Sequence, residues 1–175
     1  DLDAETKVIG LFSNDSKKTI ESGEVGQVIL EQTPFYAESG GQVGDTGSIE
    51  SKNGLFEVLD TQISGDAFIH IGTVTKGSIS MGDKVNASIN PIKRKSITKN
   101  HTGTHMLHAA LMNVLGDHVQ QRGSLVDDEK IRFDFSHFQA VSKDEIRQIE
   151  VQVNEKIEEN IEVETSIMNH DEAMD

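Results

Sequence analysis

The sequence predicts an α+β protein in two parts: a small antiparallel β-barrel over residues 1–90, then an α–β–β–α–β domain over residues 91–175. Three observations predict it. Apolar–polar alternation recurs in five short stretches of the first half, with turn residues between them. After Asn90-Pro91 the apolar spacing changes to a helical period. Ser142 and Glu145 then form a capping-box pattern that opens a second helix.

The five strands are expected at 7–12, 24–32, 55–63, 67–74 and 84–89. Turn signals separate them at Ser22-Gly23, Asn53-Gly54, Ser64-Gly65-Asp66, Lys76-Gly77 and Gly82-Asp83. Asn53-Gly54 is the strongest, because both residues tolerate the positive φ of a type I′ hairpin. Short strands at this spacing favour a closed antiparallel barrel. Pro91 suits a turn or a first helical position. Leu107, Ala110, Leu111 and Val114 follow helical spacing from about residue 97 to residue 115, and Gly116 fits a C-terminal cap. A hairpin is expected over 119–136, with Asp127-Asp128 near its turn and Ile131, Phe133 and Phe135 alternating. The second helix is expected to bury a stripe of Ile146, Ile149, Val153 and Ile157, and a last strand is expected from the alternation of Ile161, Val163, Thr165 and Ile167.

Composition narrows the function classes. Only 5% of the 175 residues are aromatic and Trp is absent, so the core must be aliphatic. The formal net charge of -14 argues against a protein held to nucleic acid by bulk charge alone, and no DNA partner is expected. That charge is uneven: fifteen acids face five bases from Asp127 onward, whereas Lys93, Arg94, Lys95 and Lys99 form a compact basic patch. An acidic body with one basic patch can hold an RNA terminus, and the patch serves equally as a solvated surface. There is no Cys, which excludes disulfides and an all-Cys metal site. No apolar run approaches the roughly 18 residues of a membrane span, and no signal peptide is visible. The chain begins at Asp1, so it is expected to be a piece of something larger.

Two segments could carry chemistry. In His101-Thr102-Gly103-Thr104-His105 the histidines stand at i and i+4, on one face of a helix, where two imidazoles can grip one metal ion. Thr102 replaces the Glu of a zincin, and a catalytic zinc needs a third protein ligand. His108 shares the face, but ring directions at i, i+4 and i+7 do not converge from a straight helix. His118, His137 and His170 have no readable spacing to the pair. The second segment, 33–47, runs Thr33-Pro34-Phe35-Tyr36-Ala37-Glu38-Ser39-Gly40-Gly41-Gln42-Val43-Gly44-Asp45-Thr46-Gly47. Its four glycines allow sharp bends and close backbone approach to a ligand. It is neither a P-loop nor a dinucleotide fingerprint, and taken alone it fits a glycine-rich β-connection.

Taken together and in order, these segments resemble the editing domain of alanyl-tRNA synthetases. The resemblance continues through Leu107-His108-Ala109-Ala110-Leu111, Val114-Leu115-Gly116, His118-Val119, Gln121, Gly123-Ser124-Leu125-Val126 and Arg132-Phe133-Asp134-Phe135-Ser136-His137. It implies a β-barrel joined to a domain of the type shared by threonyl- and alanyl-tRNA synthetases. It also implies hydrolysis of the ester in Ser-tRNA(Ala) and Gly-tRNA(Ala), inside a cytoplasmic protein that attaches alanine to tRNA(Ala). ATP and Mg would serve only the aminoacylation domain of that protein. In the family pattern His101 and His105 are zinc ligands, and two more come from a downstream Cys-x-x-x-His motif. His170-Asp171-Glu172-Ala173 resembles the stretch that precedes it, so the site is expected to be incomplete here and the isolated chain inactive. Gln42, Thr33 and Gln121 are the expected catalytic-pocket residues, Gln121 at a position tied to substrate discrimination. Lys93, Arg94, Lys95 and Lys99 are the expected contacts to the tRNA acceptor end. Gly103 departs from the usual Ala. Two alternatives remain: a free-standing alanyl-tRNA editing hydrolase, although such proteins often carry Pro where Ala37 stands, and an inactive RNA- or metal-binding module.

Overall fold

The computed structural model describes residues 2–13, 15–162, 166–169 and 172. The chain divides into two compact units, Asp1–His105 with Gln120–Ser136, and Met106–Val119 with His137–Asp175.

The first unit is built on a closed antiparallel barrel. Its six strands are β1 (Asp3–Ser13), β4 (Val25–Leu30), β7 (Ala67–Ser80), β6 (Gly54–Ser64), β5 (Gly47–Ser51) and β8 (Lys84–Ile89), hydrogen-bonded in that order. Pairing of Asp3, Ala4, Glu5, Thr6 and Lys7 with β8 closes the ring, while the later part of β1 pairs with β4. Short strands β2 (Asp15–Ser16) and β3 (Thr19–Glu21) add to β1 and β7. Closure leaves the six strands without free edges. Alternate residues point inward, and Val8, Leu11, Val28, Ile49, Phe56 and Val58 fill the interior, which is mostly aliphatic as the composition predicts, with Phe35 and Phe56 as its aromatic members.

All five expected strands form. The structure adds β5, where Ile49 alone is apolar and no alternation is visible. Asn53-Gly54 does not make a type I′ turn, because neither residue has positive φ. Instead the Ser51 hydroxyl accepts the N–H groups of Asn53 and Gly54. Gly54 is needed for a different reason: a Cβ there would lie 2.3 Å from the Ser78 carbonyl oxygen on β7.

Helix α1 (Pro91–Leu115) starts six residues earlier than the apolar stripe suggested. Asn90 caps it, its Oδ1 accepting the N–H groups of Ile92 and Lys93 at 3.1 Å each, which is worth about 1 kcal/mol. Pro91 takes the first helical position, where its missing N–H costs nothing. Gly116, at φ 110°, follows the helix end. The hairpin β9 (Gln121–Val126) and β10 (Ile131–Phe135) belongs to the first unit. Its turn is held by Asp127 Oδ1, which accepts from Glu129 N and Lys130 N, and these bonds keep the Asp127 carboxyl below its usual range.

In the second unit, α2 (Lys143–Glu159) opens with the expected capping box: Ser142 Oγ accepts Glu145 N–H, and Glu145 Oε2 accepts Ser142 N–H. Of the expected buried stripe only Ile149 is buried: Val153 is half-buried, and Ile146 and Ile157 are 45% and 54% exposed, so helical spacing marked a face that the described residues cover only at its centre. Asn113 of α1 donates to Gln152. Of the strand expected over 161–167, Val163 and Thr165 lie outside the described residues, and Ile161 and Ile167 belong to no strand. His170 also lies outside them. No helix among the described residues is long and apolar enough to cross a membrane.

An imidazole lies within the barrel core. His70 is fully buried, its Nδ1–H donating to the Val28 carbonyl at 2.9 Å, with Phe35 edge-on at 5.0 Å. Burial pushes the imidazole below its ordinary value near 6.5, against the raising effect of the Val28 bond. The unfolded chain therefore takes up a proton near pH 6.5, and the folded chain only at lower pH. Stability from this group is full above about pH 6.5 and falls as pH drops through that value. Urea unfolding at pH 7.5 and 5.5 should show this loss, and a His70→Gln variant should show a smaller difference between the two pH values.

Candidate functional site

The glycine-rich segment 33–47 is pinned at both ends. At its start, Thr33 Oγ1 donates to His70 Nε2 at 2.7 Å and accepts Phe35 N–H at 3.1 Å. Only this direction is consistent, because the Val28 carbonyl already requires the proton on Nδ1. The Thr33 hydroxyl is thus engaged with the barrel interior.

At the other end stands Asp45, 3% exposed. Its Oδ2 accepts Tyr36 N–H at 2.7 Å, and its backbone N–H returns a bond to the Tyr36 carbonyl at 2.9 Å. Arg94 of α1 closes on the same carboxylate, with Nε on Oδ1 at 2.9 Å and Nη2 on Oδ2. Nη2 also reaches the Pro34 carbonyl at 3.4 Å. The hydrogen bond to Asp45 raises the Arg94 pKa above its ordinary value; desolvation opposes this and charge attraction adds to it. Arg94 is therefore engaged in an internal ion pair, whereas Lys93, Lys95 and Lys99 are exposed along α1.

Between these anchors the segment turns back on itself. Ser39 and Gln42 exchange backbone hydrogen bonds across Gly40 and Gly41, whose φ values are 59° and 85°. Successive positive φ angles give a turn of type I′ sense that glycine adopts without strain. Gly41 has a second constraint, since a Cβ there would meet Ser124 Oγ at 2.2 Å. The close approach is to β9: Val126 N–H donates to the Gly41 carbonyl and Val43 N–H to the Val126 carbonyl.

The turn sends the Gln42 side chain inward, 9% exposed, onto α1. There His101 Nδ1–H donates to Gln42 Oε1 at 2.6 Å. His105 follows one turn later, its ring centroid 5.1 Å from that of His101 and tilted by 35°. On the hairpin, Gln121 Nε2 donates to Ser124 Oγ at 3.1 Å, and Ser124 Oγ to the Gly40 carbonyl at 3.4 Å. Asn100 Nδ2 donates to the Asp127 carbonyl at 2.8 Å. The first unit thus brings Gln42, His101, His105 and, through Ser124, Gln121 around one stretch of loop. Thr33 is directed elsewhere, to His70.

As a metal-binding set, the pair is chemically apt. With its proton on Nδ1, His101 keeps a lone pair on Nε2, as a neutral imidazole ligand must. Among the described residues no group of three or more His, Asp or Glu side chains could hold a metal ion. His108 lies further along α1, in the second unit. In that unit His118 Nε2 and His137 Nδ1 are 2.9 Å apart, and Phe138 stacks on His118.

Asp45, Asn100 and Ser124 escaped the sequence reading. The pairing of Asp45 with Arg94 joins residues 49 apart, and only the lone acid among four glycines hinted at a special role.

Comparison of the sequence with known proteins identifies a family. The model of the family described as tRNA synthetases class II (A) matches residues 1–93, more than half of the chain. The chain belongs to that family. It is 48% identical over 173 residues to an alanine–tRNA ligase of Thermoanaerobacter sp. (strain X514), covering 98% of this chain and 20% of that protein. It is 51% identical over 170 residues to the alanine–tRNA ligase of Legionella pneumophila (strain Paris), covering 97% of this chain and 20% of that protein. The class II segment therefore spans about a fifth of the length of these curated relatives.

The Asp45–Arg94 pair yields a direct test. Removing the cation strands a carboxylate that is 3% exposed, although the guanidinium itself retains 27% exposure. Arg94→Met should cost about 2–3 kcal/mol, toward or below the low end for a fully buried pair. Urea unfolding measures this, and hydrogen exchange at Tyr36 N–H should accelerate in the same variant.

Proposed function

We propose that this segment carries the editing chemistry of an alanine–tRNA ligase: hydrolysis of the ester linking serine or glycine to tRNA(Ala), within a cytoplasmic protein that uses ATP to attach alanine to that tRNA. The observation that carries this reading is the Gln42–His101 hydrogen bond, which joins the glycine-rich turn to the His-x-x-x-His helix. The relatives' identity as alanine–tRNA ligases supplies the substrate class. His101 and His105 would hold zinc, with the remaining ligands drawn from the Cys-x-x-x-His motif that the family resemblance implies. When bound, zinc would polarise the ester carbonyl or lower the pKa of a water molecule.

The chain's own residues then have separate tasks. Gln121 and the adjoining backbone of Gly40 and Gly41 border the space where the aminoacyl end would lie, and shape it for serine and glycine. Lys93, Lys95 and Lys99 meet the phosphates of the acceptor end. The need for such a step is thermodynamic: a pocket sized for alanine rejects the smaller glycine weakly, and an added hydroxyl is also hard to exclude by binding.

The experiment is a deacylation assay of Ser-tRNA(Ala) with the full-length protein. His101→Ala should lower hydrolysis at least 100-fold and leave alanine attachment within twofold of the parent. Gln121→His should change the ratio of Ser-tRNA(Ala) to Ala-tRNA(Ala) hydrolysis. Unaltered hydrolysis in His101→Ala would overturn the reading. A separate prediction concerns charge: the triple substitution of Lys93, Lys95 and Lys99 by Gln should weaken tRNA binding. It should also flatten the dependence of affinity on log salt, by about 0.7–0.9 for each phosphate no longer neutralised. Titrating tRNA at three salt concentrations measures both, and an unchanged slope would remove the patch from the RNA interface.

A further inference from the structure

We propose that Gln42 is a positioning residue for His101: by accepting the Nδ1–H of that ring it fixes the tautomer and reserves Nε2 as the ligating nitrogen. The metal half of this statement rests on the function proposed above. The tautomer half rests on the geometry alone.

A neutral imidazole carries one proton, and the nitrogen that holds it is set by the hydrogen bond its partner accepts. Gln42 Oε1 can only accept, so the 2.6 Å contact requires the proton on Nδ1. The acceptor is itself immobilised. Its backbone is fixed by reciprocal bonds with Ser39, the next residue is bonded to Val126, and its side chain is 9% exposed. Freezing a free Gln side chain costs rotamer entropy. Here the fold has already imposed that order before any ligand arrives.

His105 differs. Its ring is exposed, and no hydrogen-bonded partner is seen for it among the described residues. The pair therefore consists of one preset nitrogen and one adaptable ring. Outer partners of this kind orient metal-binding histidines, and their loss typically weakens metal binding 10–100-fold. A substrate contact at Gln42 would behave otherwise, altering KM without touching the imidazole proton or metal affinity.

The first arm of the test is nitrogen NMR of the full 175-residue chain, with its histidine rings labelled, at about pH 8, where histidine is neutral. His101 should show the Nδ1–H tautomer. Gln42→Leu should shift it toward Nε2–H, and Gln42→Glu, whose carboxylate also accepts, should keep it. A wild-type Nε2–H tautomer, or an unchanged Nδ1–H tautomer in a folded Gln42→Leu variant, would overturn the proposal. The second arm is zinc competition against a chelator in the full-length protein. Gln42→Leu should bind zinc about 10–100-fold more weakly, with Gln42→Glu close to the parent. Equal affinity in Gln42→Leu would overturn the metal half. A parent protein that binds no zinc would sink the metal chemistry proposed above, while the expected tautomer pattern would still support Gln42 as the group that orders His101.

Discussion

The carboxylate of Asp45 is the constraint on which the site geometry depends. A charge buried to 3% exposure is tolerable only when paired and hydrogen-bonded, and the Asp45 carboxylate meets that demand from two directions. The glycine-rich loop contributes Tyr36 N–H and α1 contributes the Arg94 guanidinium, while the Thr61 hydroxyl of β6 donates to the Asp45 main-chain carbonyl at 2.9 Å. Satisfying the charge fixes the loop relative to α1, and the Thr61 bond ties the Asp45 backbone to the barrel. Arg94 and His101 are seven residues apart on α1 and therefore share a face. Asp45 and Gln42 are three apart on the loop. Anchoring the first pair brings the second pair into register.

The barrel supplies the other fixed end of that loop. A lone imidazole in an aliphatic core needs partners on both nitrogens, and the Val28 carbonyl and Thr33 hydroxyl provide them. The first residue of the glycine-rich segment is thereby tied to the barrel interior. Gly40, Gly41 and Gly44 lie between Thr33 and Asp45, where the Ser39–Gln42 turn and the strand-like pairing with Val126 leave little freedom. Four glycines do not make a mobile loop here. Gly40 and Gly41 make the backbone reversal that faces Gln42 inward, and Gly41, Gly44 and Gly47 permit close approach to β9, β6 and β8 respectively.

How much of this was legible follows from what each element buries. The strands β1, β4, β6, β7 and β8 alternate because one face of each packs in the barrel, and that pattern is visible in the residues. β5 was hidden because its neighbours hold it by backbone pairing, with Ile49 as its single apolar anchor. The start of α1 was hidden for a similar reason. Ile92 is 78% exposed and the first buried apolar residue is Ile97, so a cap and an ion pair hold this end where no apolar stripe does. The histidine pair and Gln42 were readable as candidates from their motifs, but their bond spans 59 residues and no local pattern encodes it. Lys93-Arg94-Lys95 shows the limit most clearly. Three adjacent cations look alike in sequence, and only the position of Asp45 separates the clamp from its exposed neighbours.

Gly103 brings these constraints to bear on the helix itself. It stands between His101 and His105, and a Cβ there would meet nothing within 4 Å, so no packing demand explains its lack of a side chain. Its effect is on the backbone: glycine in a helix interior is less favourable than alanine by about 0.8–1.0 kcal/mol. The turn joining the two imidazoles is therefore intrinsically weak, and its order must come from outside. Arg94, Asn100 and His101 supply it, each hydrogen-bonded to the loop or the hairpin, and all three precede Gly103. The side of the turn that carries His101 is consequently held by tertiary contacts, while His105 follows the weak residue and has an exposed ring. One imidazole is positioned by the fold, and the other retains the freedom to adjust to whatever the pair binds.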